Sequence, residues 1–203
     1  MKSIRSYRGS LPNHAELSEL RYESRLERNI FAVLLASACF RFLREQPPYV
    51  TYVGPDGTST KHWFDLVGVE PNGRRVAIDV KPLGSSKMPG LVAAHRLIEA
   101  QVGSTFADEY RILTEEHAHP DDVADARLIL RARRLPDAAA DEAVARIVST
   151  LNGATPIRPL VAATGLKAAA FNALVRLIGE RKACVYDDAR ISYGAWVSRA
   201  EHA

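Results

Sequence analysis

The segment between residues 61 and 81 constrains the fold most, because it consists of two apolar stretches joined by a short turn. The stretches Lys61–Glu70 and Arg74–Lys81 flank Pro71-Asn72-Gly73, and a loop of this composition favours a β-hairpin. The second stretch is apolar on both faces, which is typical of a central strand covered by helices. The segment therefore predicts a buried hairpin at the centre of a layered α/β domain with mixed strand directions.

The register of this hairpin places charged residues together. With a three-residue loop, Glu70 pairs with Arg74, and Asp65 then lies opposite Asp79. Directly paired residues share a face of the sheet, with Cβ atoms roughly 5 Å apart, and Lys81 lies two residues further along the same face. Like charges directly opposite one another are destabilising, whereas a bound divalent cation would offset that repulsion. We therefore expect loss of Asp79 to leave the metal-free protein as stable as before, or more stable.

Two carboxylates and a lysine on one face are suited to metal-assisted hydrolysis. Magnesium prefers oxygen ligands, and a bound ion lowers the pKa of its water and stabilises charge on a phosphodiester. Lys81 would position that water or stabilise the developing charge. A third acid would come from the first predicted helix, where Glu23 and Glu27 are four residues apart and share one face. Either of these two could reach the sheet.

The rest of the first part also has an α/β pattern. Residues 1–14 are basic and contain Gly and Pro, so we interpret them as a flexible arm, and a helix is predicted from about 16 to 43, ended by Gln46-Pro47-Pro48. Further elements are predicted at Tyr49–Val53 (strand), Pro89–Val102 (helix), Tyr110–Thr114 (strand), Asp121–Arg134 (helix) and Ala138–Leu151 (helix).

Asn152-Gly153 marks a predicted boundary between a first domain, residues 1–150, and a second, residues 153–203. The second has the outline of a winged helix, a helix-turn-helix followed by a β-hairpin. Its predicted elements are the helices Ile157–Ala163 and Leu166–Ile178 and the strands Ala183–Tyr186 and Arg190–Tyr193. The alternative is a helical hairpin that packs on the first domain.

Composition places the chain among soluble globular proteins. It has 203 residues, 47% hydrophobic and 25% charged, and no apolar run approaches the ~20 residues needed to cross a bilayer. The N-terminus lacks the apolar core of a signal peptide. Cys39 and Cys184 are far apart in apolar settings and are interpreted as two reduced core thiols. These features predict a cytoplasmic protein without a membrane partner.

Four stretches of the sequence resemble TnsA-type nucleases, which work beside DDE transposases in bacterial transposons. They are YESRLERNIF, REQPPYVTY, HWFDL and RRVAIDVKP. The acid of the family's S-x-L-E helix motif matches Glu27, which favours it over Glu23, and the strand acid matches Asp65. The (D/E/Q)-x-K-P motif matches Asp79 and Lys81. One departure is that Phe64 stands where the PD-(D/E)xK class name has proline.

The resemblance implies a restriction-endonuclease-like core with a mixed central sheet, followed by a small C-terminal winged-helix domain. It implies Glu27, Asp65, Asp79 and Lys81 as catalytic residues. We expect Mg²⁺, with Mn²⁺ as an alternative, to be held by the three carboxylates and by the backbone carbonyl of Val80.

The implied activity is a metal-dependent DNA endonuclease that cuts the 5′ strands at transposon ends. Its implied partners are double-stranded DNA, a DDE transposase and an AAA+ regulator of the transposon, in the bacterial cytoplasm. One alternative is a standalone defence or restriction-type nuclease of the same chemistry. Another is a non-catalytic winged-helix DNA-binding or adaptor protein.

Basic side chains outside the catalytic set are candidates for DNA contact. Lys167 and Arg176 are expected on the exposed face of the predicted recognition helix. His62 is expected to point away from the Asp65 face, as a surface histidine. The full set of candidate DNA contacts is Arg5, Lys61, Lys87, Lys167 and Arg176.

Overall fold

The computed structural model of the chain describes residues 7–13 and 18–200. Within them, the chain forms two compact units: the first comprises residues up to 35 and 39–119, and the second residues 36–38 and those from 120 onward. The first unit contains, in chain order, β1 (Gly9–Asn13), β2 (Ser18–Tyr22), α1 (Arg25–Ala36), β3 (Phe42–Glu45), β4 (Val50–Val53), β5 (Ser59–His62), β6 (Leu66–Val69), β7 (Arg75–Val80), α2 (Met88–Gln101) and β8 (Glu109–Leu113).

A four-stranded sheet of mixed direction is the centre of the first unit. Its strand order is β3-β6-β7-β8: β6 is antiparallel to both β3 and β7, and β8 is parallel to β7. The hairpins β1-β2 and β4-β5 form separate two-stranded sheets. The prediction of an α/β unit with a mixed central sheet is confirmed.

The central hairpin has the predicted register. Leu66 pairs with Ile78, Val69 pairs with Arg75, and the amide of Glu70 donates to the carbonyl of Arg74 at 2.8 Å. One step beyond the paired residues, this register sets Asp65 opposite Asp79. The single strand predicted over residues 61–70 is wrong, however, because the chain bends at Trp63–Asp65 and separates β5 from β6.

Each face of β7 packs against a different part of the core. Ile78 and Val80 pack with Ile30 and Phe31 of α1. On the other face, Ala77 packs with a cluster made of Val50, Phe64, Ile98 and Ala107, and so with α2. Because side chains alternate along a strand, Asp79 lies on the Ala77 face.

The N-terminal predictions need correction. The helix begins at Arg25 rather than near residue 16, since Ser24 caps it: the Ser24 Oγ accepts from the amide of Glu27 at 3.0 Å. Residues 9–13, predicted to be part of a flexible arm, pair with residues 18–22 as a hairpin. The helix ends at Ala36, and Phe42–Glu45 is a sheet strand that supplies Leu43 to the core.

The second unit is built around α6. Its elements are α3 (Pro120–Arg133), α4 (Ala138–Ser149), β9 (Thr155–Pro156), α5 (Ile157–Ala163), α6 (Ala168–Gly179), β10 (Ala183–Val185) and β11 (Trp196–Arg199). The three strands form an antiparallel sheet of order β10-β11-β9. The last strand is therefore Trp196–Arg199, and the prediction of a strand at Arg190–Tyr193 is wrong.

Helices α3 and α4 belong to the second unit, so the division of the chain lies near residue 120 and not near the Asn152-Gly153 turn. Ala140, Val144 and Val148 of α4 share a core with Ala173 and Leu174 of α6.

Neither cysteine forms a disulfide, and the prediction that both lie in a core is wrong: Cys39 is half-buried and Cys184 is exposed. Among the residues that the structure describes, we find no helix with both the length and the apolar character to span a membrane.

Candidate active site

Asp65 occupies the bend before β6, where its side chain accepts a hydrogen bond that a backbone carbonyl would accept in a regular sheet. The hydrogen-bonded pairing of Glu70 with Arg74 recurs every second residue, so the amide of Val80 would face the carbonyl of Phe64 in a regular ladder. That amide donates instead to Oδ2 of Asp65, at 2.7 Å. The carboxylate is thereby fixed at the carboxyl end of β7.

The charge of Asp65 is disfavoured where it lies. Burial raises the pKa of the Asp65 carboxyl to about 6, and the carboxylates of Asp79 and Glu27 act in the same direction. The amide of Val80 and the ammonium of Lys81 lower it, without restoring the ordinary value. Three acidic groups and a lysine therefore interact at this point, and an added cation would stabilise the ionised form.

Glu27 and Asp65 line the same cavity, whose volume is about 510 Å³. Glu27 lies in the first turn of α1, and its Oε2 accepts from the amide of Glu23 at 2.7 Å. Together with the Ser24 hydroxyl, which accepts from the Glu27 amide, this arrangement resembles a capping box. Glu27 therefore stabilises the start of the helix as well as facing the cavity.

Arginines from the β1-β2 region also line this cavity. Arg8 pairs with Glu23 at 3.4 Å, and Arg21 pairs with Glu45 at 3.8 Å. The side chains of both arginines are mostly exposed, at 68% and 80%. Four acidic residues line the cavity with these two arginines (Glu19, Glu23, Glu27 and Asp65), so the lining carries an excess of negative charge, which suits a cation.

Asp79 is buried and compensated by two histidines. The Nε2 atoms of His62 and His95 both lie 2.7 Å from Oδ2 of Asp79, whose residue is 4% exposed. Burial acts to raise the pKa of the Asp79 carboxyl, but the hydrogen bonds and charges of the two histidines outweigh it and hold that pKa below its usual value. The two histidines therefore stabilise the ionised form of Asp79 and offset the repulsion by Asp65 that the sequence predicts.

The interpretation of His62 as a surface histidine is wrong. Alternation along one continuous strand would place it away from the Asp65 face, but the bend at Trp63–Asp65 ends that alternation. His95 lies in the helix predicted over Pro89–Val102 and is not among the predicted site residues. A histidine in an otherwise apolar helical stripe, together with one just before Asp65, is a signal that could have drawn attention to both, although it does not reveal their contact with Asp79.

Lys81 directly follows β7 and is half-buried, and its amide donates to the carbonyl of Leu113 at 3.0 Å. Its charge lowers the pKa of Asp65, which shows that the two groups interact. Val80 is the last residue of β7 and is 4% exposed. Asp65 thus interacts electrostatically with Glu27, Asp79 and Lys81, whereas the ligand atoms that lie within 4.8 Å of one another, in the described part of the chain, are those of His62, Asp79 and His95. Ligation by the Val80 carbonyl stays a prediction.

Three of the five candidate DNA contacts are exposed. Lys61 lies over the ring of Tyr49, 4.2 Å from its centroid, and Lys87 precedes α2. Lys167 precedes α6. Arg5 lies outside the described residues.

Arg176 is not on an exposed face of α6, contrary to expectation. It is 7% exposed, forms an ion pair with Asp141 at 2.5 Å and donates to the carbonyls of Ala132 and Leu135 at 2.9 and 2.7 Å. This guanidinium therefore joins α6 to α3 and α4, which leaves it no donor role toward DNA.

No protein-family model matches the chain, and a search of curated proteins finds no match either.

Proposed function

We propose that this protein is a metal-dependent DNA endonuclease in which Glu27, Asp65, Asp79 and Lys81 act on a phosphodiester bond. The observation that carries the proposal is the environment of Asp65. A carboxylate that is half-buried, interacts with two further carboxylates and faces a cavity costs folding free energy unless a cation is present.

The donor set fits Mg²⁺, or Mn²⁺ in its place, because every proposed ligand atom is an oxygen. Glu27 and Asp65 would hold the ion from the cavity side, together with the Val80 carbonyl. Both histidine bonds to Asp79 use Oδ2, which leaves Oδ1 for the ion. When bound, the ion supplies stabilisation of phosphate charge and a water of lowered pKa.

The remaining residues act on the substrate. Lys81 would stabilise negative charge that develops on the phosphate beside Asp65. Arg8 and Arg21 would hold the flanking phosphates of the strand at the cavity mouth. Lys61 and the exposed Trp63, close in sequence to Asp65, would contact DNA beside the cleaved bond.

The order of elements supports a restriction-endonuclease-like core. A helix with Glu27, a hairpin with Asp65 and Asp79, a second helix and a strand parallel to β7 follow one another as the TnsA resemblance implies. In the second unit, α5, α6 and the β10-β11 pair support a winged-helix-like domain. By that resemblance, the enzyme would cut 5′ strands at transposon ends, with a DDE transposase and an AAA+ regulator as partners.

Cleavage of supercoiled plasmid and of a transposon-end duplex, with and without Mg²⁺ and the partner proteins, tests this proposal. The parent protein should nick DNA only with the metal, and Asp65→Asn and Lys81→Ala should lower the rate by at least about a hundredfold. Lys182→Ala, at an exposed lysine paired with Glu180, is the control and should keep full activity. Full activity of Asp65→Asn would refute the proposal, and activity without partners would favour a standalone nuclease.

A further inference from the structure

We propose that His62, Asp79 and His95 form a second metal site, which takes a divalent cation of the zinc type. The site goes beyond the proposed nuclease activity, because it shares only Asp79 with the catalytic set and requires no DNA.

Three separate elements bring the three ligands together. His62 ends β5, Asp79 lies in β7 and His95 lies in α2, and their candidate ligand atoms are all within 4.8 Å of one another. Zinc binds imidazole nitrogen and carboxylate oxygen at about 2.0–2.2 Å, so ligand atoms around a tetrahedral ion lie roughly 3.3–3.5 Å apart. The separations of 2.7 Å between each Nε2 and Oδ2 are hydrogen-bond distances, so the three groups would move apart by roughly 0.6–0.8 Å to admit the ion.

The donor atoms select the class of metal. Two imidazole nitrogens and one carboxylate suit zinc, cobalt, iron and nickel, whereas magnesium and calcium prefer ligand sets made of oxygen alone. The cavity lined by Glu27 and Asp65 offers carboxylate oxygens. The two neighbouring sites would therefore take different cations.

An apolar shell surrounds the polar ligands. The ring of Phe64 lies 4.6 Å from the ring of His62 and 5.4 Å from that of His95, and Tyr110 lies 6.5 Å from His95, measured between centroids. A polar ligand set inside such a shell is the usual setting of a protein metal site, because the shell limits solvent access. It also strengthens the attraction between the ion and Asp79.

The exposure of the ligands indicates where a fourth ligand would enter. The side chains of His95 and Asp79 are 8% and 6% exposed, whereas that of His62 is 17% exposed. Three protein ligands leave one tetrahedral position, which water would fill from the His62 side. A metal binds imidazole in its neutral form, so the ligand set of the bound site would carry one negative charge, which a divalent cation would offset.

Metal titration of the untagged, EDTA-treated full chain tests the site. Zn²⁺ binding would be measured by calorimetry, Co²⁺ binding by its visible absorption, and the melting temperature with each metal. We expect one equivalent of Zn²⁺ or Co²⁺ per chain, a higher melting temperature, and retention of Zn²⁺ in millimolar Mg²⁺. His62→Gln and His95→Gln should each weaken this binding on the order of a hundredfold.

Two kinds of control separate this site from the nuclease site and from surface binding. Asp65→Asn and Glu27→Gln, which remove proposed Mg²⁺ ligands, should keep the zinc site, and His119→Gln should keep it too, since His119 is exposed. If His95→Gln fails to fold, His62→Gln carries the test alone, because His62 is the less buried of the two. If His62→Gln leaves the Zn²⁺ affinity unchanged, or if the parent protein binds Mg²⁺ and Zn²⁺ equally, then the triad is a hydrogen-bonded cluster and not a zinc-type metal site. Zinc binding without any nicking would sustain this inference while refuting the proposed function.

Discussion

The half-buried carboxyl of Asp65 binds its proton more tightly in the folded protein than in the unfolded chain, since its pKa rises from an ordinary 3.8 to about 6. The folded state thus holds more protons between these two values, so the contribution of Asp65 to stability falls as the pH rises through that window and stays low above it. A tenfold change in an ionisation constant corresponds to about 1.4 kcal/mol, so the charge costs up to about 3 kcal/mol above pH 6.

Asp65→Asn should therefore stabilise the metal-free protein at pH 7.5 by up to about 3 kcal/mol, because an asparagine oxygen can still accept from the Val80 amide. Denaturant unfolding of both proteins from pH 4 to pH 8 should show a difference that opens between pH 4 and 6 and is then constant. Asp56→Asn, in an exposed turn where Thr58 lowers the aspartate's pKa, should give no such gain. A destabilised Asp65→Asn protein at pH 7.5 would contradict the argument.

Asp79 should behave in the opposite way, which reverses the expectation from the sequence. Because Asp79→Ala leaves one buried and one half-buried imidazole group without their acceptor, we expect it to lower the unfolding free energy by about 2–4 kcal/mol. Thermal melting in EDTA measures the loss. Asp79→Asn, which keeps one carbonyl acceptor, should lose less, and an Asp79→Ala protein as stable as the parent would show that the two histidines do not depend on this carboxylate.

At the scale of elements, Glu27 has two roles that substitution can separate. Glutamine can replace glutamate at the third position of a capping box, so Glu27→Gln should keep the melting temperature of the parent. Glu27→Ala should lose about 1 kcal/mol of stability. Both should lose Mg²⁺-dependent cleavage, measured by plasmid nicking, because neither supplies a carboxylate. An active Glu27→Gln protein would limit Glu27 to its structural role.

The elements that sequence predicted well are those with local determinants. The β6-β7 hairpin follows from an apolar alternation and a short turn, and its register placed Asp65 opposite Asp79 without further information. The helix predicted from residue 16 failed because apolar spacing alone does not mark a start, although Ser24 and Glu27 at cap spacing do. The contacts of His62 and His95 with Asp79 could not be predicted, because they depend on a bend and on the packing of α2.

At the scale of the whole molecule, the core of the second unit includes α4, which lies before the boundary predicted at Asn152-Gly153. The face of α4 formed by Ala140, Val144 and Val148 is buried against residues of the second unit, and Asp141 pairs with Arg176 of α6. A chain cut after residue 150 would keep α4 but lose α6, whereas a cut after residue 119 would remove the second unit's helices together.

Residues 1–119 should therefore yield a better-behaved fragment than residues 1–150. In the longer fragment, three apolar side chains of α4 lose their cover, and exposed apolar clusters of this kind promote aggregation. Soluble yield, binding of a hydrophobic dye and the cooperativity of thermal melting should all favour the 1–119 fragment, and residues 120–203 should fold alone because they contain a core of their own. The variant Val144→Asp in the 1–150 fragment is the matched control: it should reduce aggregation there and unfold the second unit in the full chain. If the 1–150 fragment melts cooperatively while the 1–119 fragment does not, then the first unit needs α3 and α4 in order to fold. The domain boundary would then lie near Asn152, where the sequence predicts it.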